Sequence, residues 1–125
     1  MKFLSSTMKT SDTGKSLIKE LEGLRLTAYK DTAGVLTIGY GHTGSDVFSG
    51  KTITKSEAET LLNKDVASHE KAVQNLSVKL NQNQFDALSS FVFNIGETKF
   101  LSSTIRKKVL ANPDDPTIAD EFRRW

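Results

Sequence analysis

Cysteine is absent from the 125 residues, which excludes a disulfide framework and thiolate metal sites. No apolar run approaches the roughly 20 residues that a membrane-crossing helix needs. The longest greasy stretch, around Phe91 to Ile95, is far too short. Residues Met1 to Ser11 hold Lys2 and Lys9 but no apolar segment of the length a cleaved secretory signal carries. The chain is therefore expected to be made in the cytoplasm and to stay there unless another factor releases it. Stable membrane insertion is not expected. Internal repeats, low-complexity tracts and proline-rich linkers are missing too.

What is present is ordinary for a soluble globular domain: 37% hydrophobic and 26% charged residues. The length suffices for one domain with one core. A net charge of +2 and a pI near 8.9 give a mild bias toward anionic partners. Arg106-Lys107-Lys108 and Arg123-Arg124 are small basic clusters, read as solvated helix faces. Binding of nucleic acid would need a stronger basic excess and a recognisable module, so no such partner is expected.

Residues 1–10 read as a flexible leader, and 11–125 as a single domain. A first helix is predicted from Ser11 or Asp12 to Glu22, with Leu17, Ile18, Leu21 and Leu24 at helical spacing and Gly23 as terminator. Two extended runs follow, folded about a turn at Asp31-Thr32-Ala33-Gly34. A further short strand or turn is expected between Asp46 and Ile53. Thr54 and Glu57 form a capping box for a long second helix, with Ile53 and Ala58 as its staple and Ala58, Leu61, Leu62, Val66 and Val73 as its stripe. A third, greasy helix runs from near Asn81 or Asn83 to Ile95 and should lie at the centre of the core. A fourth covers Ser102 to Leu110, and Asp115-Pro116 opens a fifth. That last helix still shows apolar spacing at Trp125, with no cap. Further chain, or another chain, is expected to supply its packing.

The run TIGYGH, residues 37 to 42, sets a bare backbone beside a titratable ring. Potassium-channel filters carry a similar pattern, but a filter needs pore helices, and none is available here. The alternative is a strand corner beside a reactive site. Glu22 borders the buried stripe of the first helix and lies in its last turn, where the helix dipole disfavours a carboxylate; both effects raise a carboxyl pKa. Alone, it also reads as an exposed helix-end glutamate. Asp31 alone reads as a turn former, and Thr37 as a strand residue. Together they are more informative. A short hairpin brings Asp31 and Thr37 close, and the first helix leads straight into it, so Glu22 can face them across a gap. Paired carboxylates about a gap are what glycoside hydrolysis requires. His69 shares a helix face with Asp65, but no third ligand is evident, so no metal site is expected. His42 is better suited to a buried ion pair or hydrogen bond than to proton transfer.

The stretch ELEGLRLTAYKDTAGVLTIGYGHTG, Glu20 to Gly44, resembles the signature of the phage-type lysozymes, the glycoside hydrolases exemplified by the lysozyme of T-even phages. The ordered match comprises Glu22, Gly23, Arg25, Tyr29, Asp31, Gly34, Thr37, Gly39, Gly41 and His42. Residues 53–66 and 93–105 extend the likeness. The resemblance implies an α+β fold, with a small N-terminal β-hairpin lobe and a mainly helical C-terminal lobe joined by a long helix. It implies a muramidase that cuts the β-1,4 bond between N-acetylmuramic acid and N-acetylglucosamine in bacterial peptidoglycan, with no cofactor. Glu22 matches the general acid, Asp31 the carboxylate that positions or activates water, and Thr37 the hydroxyl that holds that water. Phe93 and Ser103 match positions lining the saccharide cleft, and His42 with Asp65 a structural ion pair. The expected protein is a monomer that reaches peptidoglycan after release through a holin-like pore. Family members run some tens of residues further, in a segment that holds an arginine paired with the acid. A fold that binds peptidoglycan without cutting it, or one completed by a second chain, is therefore an alternative.

Overall fold

A computed structural model describes all 125 residues. Helix α1 (Asp12–Glu22) starts where Ser11 Oγ accepts a hydrogen bond from the Gly14 amide. Gly23 ends it and turns the chain into β2 (Arg25–Lys30). Asp31 to Gly34 reverse the chain into β3 (Leu36–Gly39), with Gly34 N donating to the Asp31 carbonyl at 2.9 Å. The strands are antiparallel and set Tyr29 opposite Thr37. A short β4 (His42–Thr43) folds back on β3, giving the order β2-β3-β4. The segment before Ile53 adds one bridge, Thr27 to Thr52.

Helix α2 (Lys55–His69) begins with the capping box read from the sequence. Glu57 N donates to Thr54 Oγ1 at 3.1 Å, and Thr54 N donates to Glu57 Oε1 at 3.2 Å. It stops at His69, one turn short of Val73, which belongs to a separate short helix, α3 (Lys71–Gln74). The break has a packing consequence. Ala58, Leu62 and Val66 join Ile18, Ile38, Tyr40, Val47 and Ile53 in the core of the hairpin lobe. Ala72 and Val73 join the larger core of the helical lobe. Helix α4 (Gln82–Ile95), opened by a second capping box at Asn81 and Gln84, runs through that larger core. After it come α5 (Glu97–Leu101), α6 (Thr104–Ala111) and α7 (Ile118–Phe122). Helix α5 was not foreseen. Pro116 lies in the turn before α7 rather than at its first position, and Asp115 Oδ1 takes the Thr117 amide at 2.9 Å. Phe91 on α4 meets Phe122 and Trp125 edge to face, each at 5.3 Å, contacts of about 0.5–1.5 kcal/mol apiece. The α+β class and the two-lobe division agree with the expectation from sequence.

The leader is a correction. Residues 1–10 are anchored rather than loose. β1 (Phe3–Leu4) pairs with β5 (Lys79–Leu80). Met8 is buried in the helical core. Thr10 donates through its amide and its hydroxyl to the buried Glu70 carboxylate, at 2.8 and 2.7 Å. Ser11 donates likewise to Asp86 on α4. The short polar side chains that made this segment look solvated are the donors that satisfy two buried acids. Of the apolar residues on α1, Ile18 is buried, whereas Leu17 and Leu21 stay exposed. They line a shallow apolar groove with Phe91, Phe122 and Trp125.

Candidate active site

An open polar cleft of about 480 Å³ lies between the hairpin lobe and the end of α4. Glu22, Asp31 and Thr37 line it, with Tyr29, Gly41 and Thr43 on the hairpin side. Asp65 and His69 reach it from α2, and Phe93, Asn94, Ile95 and Gly96 from the end of α4.

Glu22 is the last residue of α1, and the turn at Gly23 holds it at the mouth of the hairpin. Its carboxyl is partly buried, and burial raises its pKa because the charged form loses water that nothing nearby replaces. Gly41 explains how the acid fits. A Cβ at position 41 would stand 2.6 Å from Glu22 Oε2 and 3.0 Å from its Cδ, and Gly41 has a φ of +77°. The backbone therefore lies against the carboxyl where no side chain has room. Gly39 also has positive φ, but a Cβ there would make ordinary contact with Ala58 and Ile53. The two glycines of TIGYGH thus share a backbone requirement and differ in what they protect.

Asp31 is exposed at the tip. Its Oδ1 accepts from the amides of Ala33 and Val35, both at 2.9 Å, which fixes the carboxylate and leaves Oδ2 without a partner in the chain. Thr37 is buried in β3, and its hydroxyl donates to the Val35 carbonyl at 2.9 Å. With its proton so committed, the oxygen can accept a further hydrogen bond.

His42 sits behind the cleft between two carboxylates. Nδ1 lies 2.7 Å from Asp65 Oδ2, and Nε2 lies 2.9 Å from Asp46 Oδ2. Burial pushes the imidazole pKa down, but the hydrogen bonds and charges of Asp65 and Asp46 outweigh it, and the net shift is upward. Asp46, held below its usual range first by the His42 hydrogen bond, was missed from sequence. Only its place four residues beyond His42, across Gly44, hinted that the loop returns. A second network was also missed. Tyr40 donates to Glu59 at 3.2 Å, and Lys19 pairs with Glu59 at 2.6 Å, tying α1 and the turn after β3 to α2.

Ser103 does not line the cleft. It is buried as the N-cap of α6, where its hydroxyl donates to the Phe100 carbonyl at 2.7 Å and accepts from Arg106 N at 3.1 Å. Both hydrogen-bonding functions are used in the helix start, so the expectation of substrate contact at this position is corrected. Phe93 does line the cleft.

A hairpin lobe and a helical lobe about a polar cleft, with a partly buried acid facing a turn carboxylate, define a lysozyme-like protein. The family model described as phage lysozyme matches residues 19–125. The endolysin of Salmonella phage P22 is 43% identical over 123 residues, covering 94% of this chain and 84% of the relative. The SAR-endolysin of Bacteriophage PS119 is 42% identical over 106 residues, covering 84% of this chain and 63% of that one. Among solved structures, the muramidase domain of SpmX from Asticaccaulis excentricus superposes with a TM-score of 0.86 at 40% identity, covering 94% and 79% of the two chains. This chain belongs to the phage lysozyme family.

Proposed function

We propose that this chain is a lysozyme-type glycoside hydrolase, a muramidase that cuts the β-1,4 bond between N-acetylmuramic acid and N-acetylglucosamine in bacterial peptidoglycan. The observation that carries the proposal is the partly buried Glu22, raised in pKa by desolvation, in one cleft with Asp31 and Thr37. A carboxyl that keeps its proton above the ordinary range can give it to the glycosidic oxygen as the bond breaks. Asp31, braced through Oδ1, offers Oδ2 to the attacking water. Asp31 Oδ2 takes one proton from the water as its oxygen attacks and later returns it to solvent, and the Thr37 oxygen accepts a hydrogen bond from the water's remaining O–H, so that the water is aimed rather than merely present. The outcome proposed is inversion, with water arriving on the face opposite the leaving oxygen. Glu22 is reprotonated from solvent, for which the open cleft gives access.

The environment of Glu22 favours hydrolysis over binding alone, since a binding module has no use for a retained proton at this point. The open cleft, lined mostly by polar groups, suits an extended sugar polymer. No helix is long and apolar enough to cross a membrane, and delivery to the wall through a pore made by another protein fits that fact. The working unit proposed is the monomer. The test is release of reducing ends from purified peptidoglycan by wild type and Glu22→Gln side by side. Wild type is expected to release them and the variant to lose at least about a hundredfold in rate, the range of a missing general acid. Equal turnover by the two would end the proposal.

A further inference from the structure

His69 is the last residue of α2, one turn beyond Asp65, and lines the cleft. Its Nδ1 is buried and has no hydrogen-bond partner. Its ring packs edge to face against Phe93, with centroids 5.2 Å apart and planes at 66°. A buried ring nitrogen with no partner is uncommon and costly. Orphaned N–H groups are rarer than orphaned acceptors, so the bare lone pair is assigned to Nδ1 and the ring N–H to Nε2. Nε2 is then the donor left to the cleft. The nearest acid on the same helix face, Asp65, is already engaged by His42.

We infer that His69 is a specificity-determining binding residue: its Nε2–H donates to the carbonyl oxygen of a glycan acetamido group whose methyl rests on Phe93. An N–H donor beside an aromatic face matches an amide substituent, which carries a strong uncharged acceptor and a methyl two bonds apart. A sugar hydroxyl offers no methyl. The lactyl amide of muramic acid does offer similar groups, and the choice of probe separates the two. The inference rests on the glycan-cleaving reading above, and the test distinguishes their failures.

Affinity for tetra-N-acetylglucosamine, which has acetamido groups but no lactyl group, is measured by calorimetry for wild type, His69→Phe, His69→Gln and His69→Ala. The fully deacetylated tetramer is measured in parallel. His69→Phe keeps a ring against Phe93 and removes both nitrogens, so its melting temperature is expected to equal or exceed that of wild type. It is expected to weaken acetylated binding by about tenfold, the worth of one good neutral hydrogen bond, and to change deacetylated binding by less than about twofold. His69→Gln, with an amide N–H at similar reach, is expected to recover most of the loss. His69→Ala repeats the discrimination if the phenyl ring is not accommodated. On peptidoglycan, His69→Phe is expected to raise KM about tenfold with kcat within about twofold, as for a contact made equally in ground and transition states. Equal losses on the two tetramers, or no loss on either, would overturn the inference. Wild type that binds the acetylated tetramer but frees no reducing ends would end the muramidase reading and leave the binding comparison to decide His69.

Discussion

Replacing each glycine of TIGYGH by alanine separates backbone strain from crowding of the acid. Gly39 and Gly41 have φ of +65° and +77°, so an alanine at either position costs about 1–2 kcal/mol in a left-handed conformation. Their surroundings differ. At position 39 the new methyl meets Ala58 and Ile53 at 3.5 Å, an ordinary contact. At position 41 it falls 2.6 Å from Glu22 Oε2, about 0.8 Å inside the 3.4 Å at which ordinary contact begins. The glutamate must swing away by most of an ångström, and displacement of a reacting group by about 1 Å costs on the order of a hundredfold in rate. The two variants should therefore lose similar stability in urea denaturation, about 1–2 kcal/mol each. Only Gly41→Ala should lose activity, about a hundredfold in kcat at saturating peptidoglycan, while Gly39→Ala stays within about threefold. Equal activity of the pair, whether both high or both low, would refute the reasoning, because strain alone would then account for everything.

The remaining expectations concern proton linkage and the leader. Because burial raises the pKa of Glu22, the alkaline limb of the kcat/KM profile should lie above 4.5, the ordinary value for glutamate; a limb at or below it would contradict the assignment of the acid. The same shift means that ionising Glu22 weakens the native state as pH rises through its folded pKa, so Glu22→Gln should melt no lower than wild type at pH 7 while losing turnover. His42 has a raised folded pKa, so its contribution is fully present below its unfolded value of 6.5 and is lost as pH rises through the folded one. The melting difference between wild type and His42→Asn should accordingly be largest near pH ~5–6 and shrink above neutrality, with a ceiling of about 3 kcal/mol for hydrogen bonds to a charged group; a difference that grows with pH would contradict the pairing. Met8→Ala should cost about 2–5 kcal/mol in urea denaturation, as for any buried methionine, whereas a detached leader would register no change.

Much of this fold could be read from spacing and caps, and the failures are instructive. Ser11, Thr54 and Asn81 mark the starts of α1, α2 and α4 because each cap is a local event, complete within four residues. Helical spacing places Val73 on α2 because it does not register the break after His69; that break is imposed by packing, which hands α2 to one core and α3 to the other. The leader was misread because Ser5, Thr10 and Ser11 look solvated in isolation, and their partners Val78, Glu70 and Asp86 lie more than fifty residues away. At the site, Glu22, Asp31 and Thr37 are legible through an ordered motif and Phe93 through the further likeness over residues 93–105, and the structure gathers them in one cleft. Ser103 was not, since a serine that begins a helix and a serine that lines a groove look alike in sequence. In sequence His69 invites only a comparison with metal ligands, and its orphaned nitrogen exists only in three dimensions.

The cleft borrows its walls from both cores, and this bears on how the acid keeps its setting. Ile18, one turn before Glu22, is buried in the hairpin-lobe core together with Ala58, Leu62 and Val66 of α2, the helix that carries Asp65 and His69. Phe93 packs against the same cluster, yet its neighbours Phe91 and Val92 belong to the helical-lobe core. Successive residues of α4 thus serve different cores, and the end of that helix is fixed only where both are intact. Leu62→Ala and Val92→Ala would each open a cavity, but the first loosens both Glu22 and the Phe93 wall, while the second acts on the wall alone. The separation between acid and opposing wall is therefore more sensitive to the smaller core than to the larger, although the larger buries more of the chain.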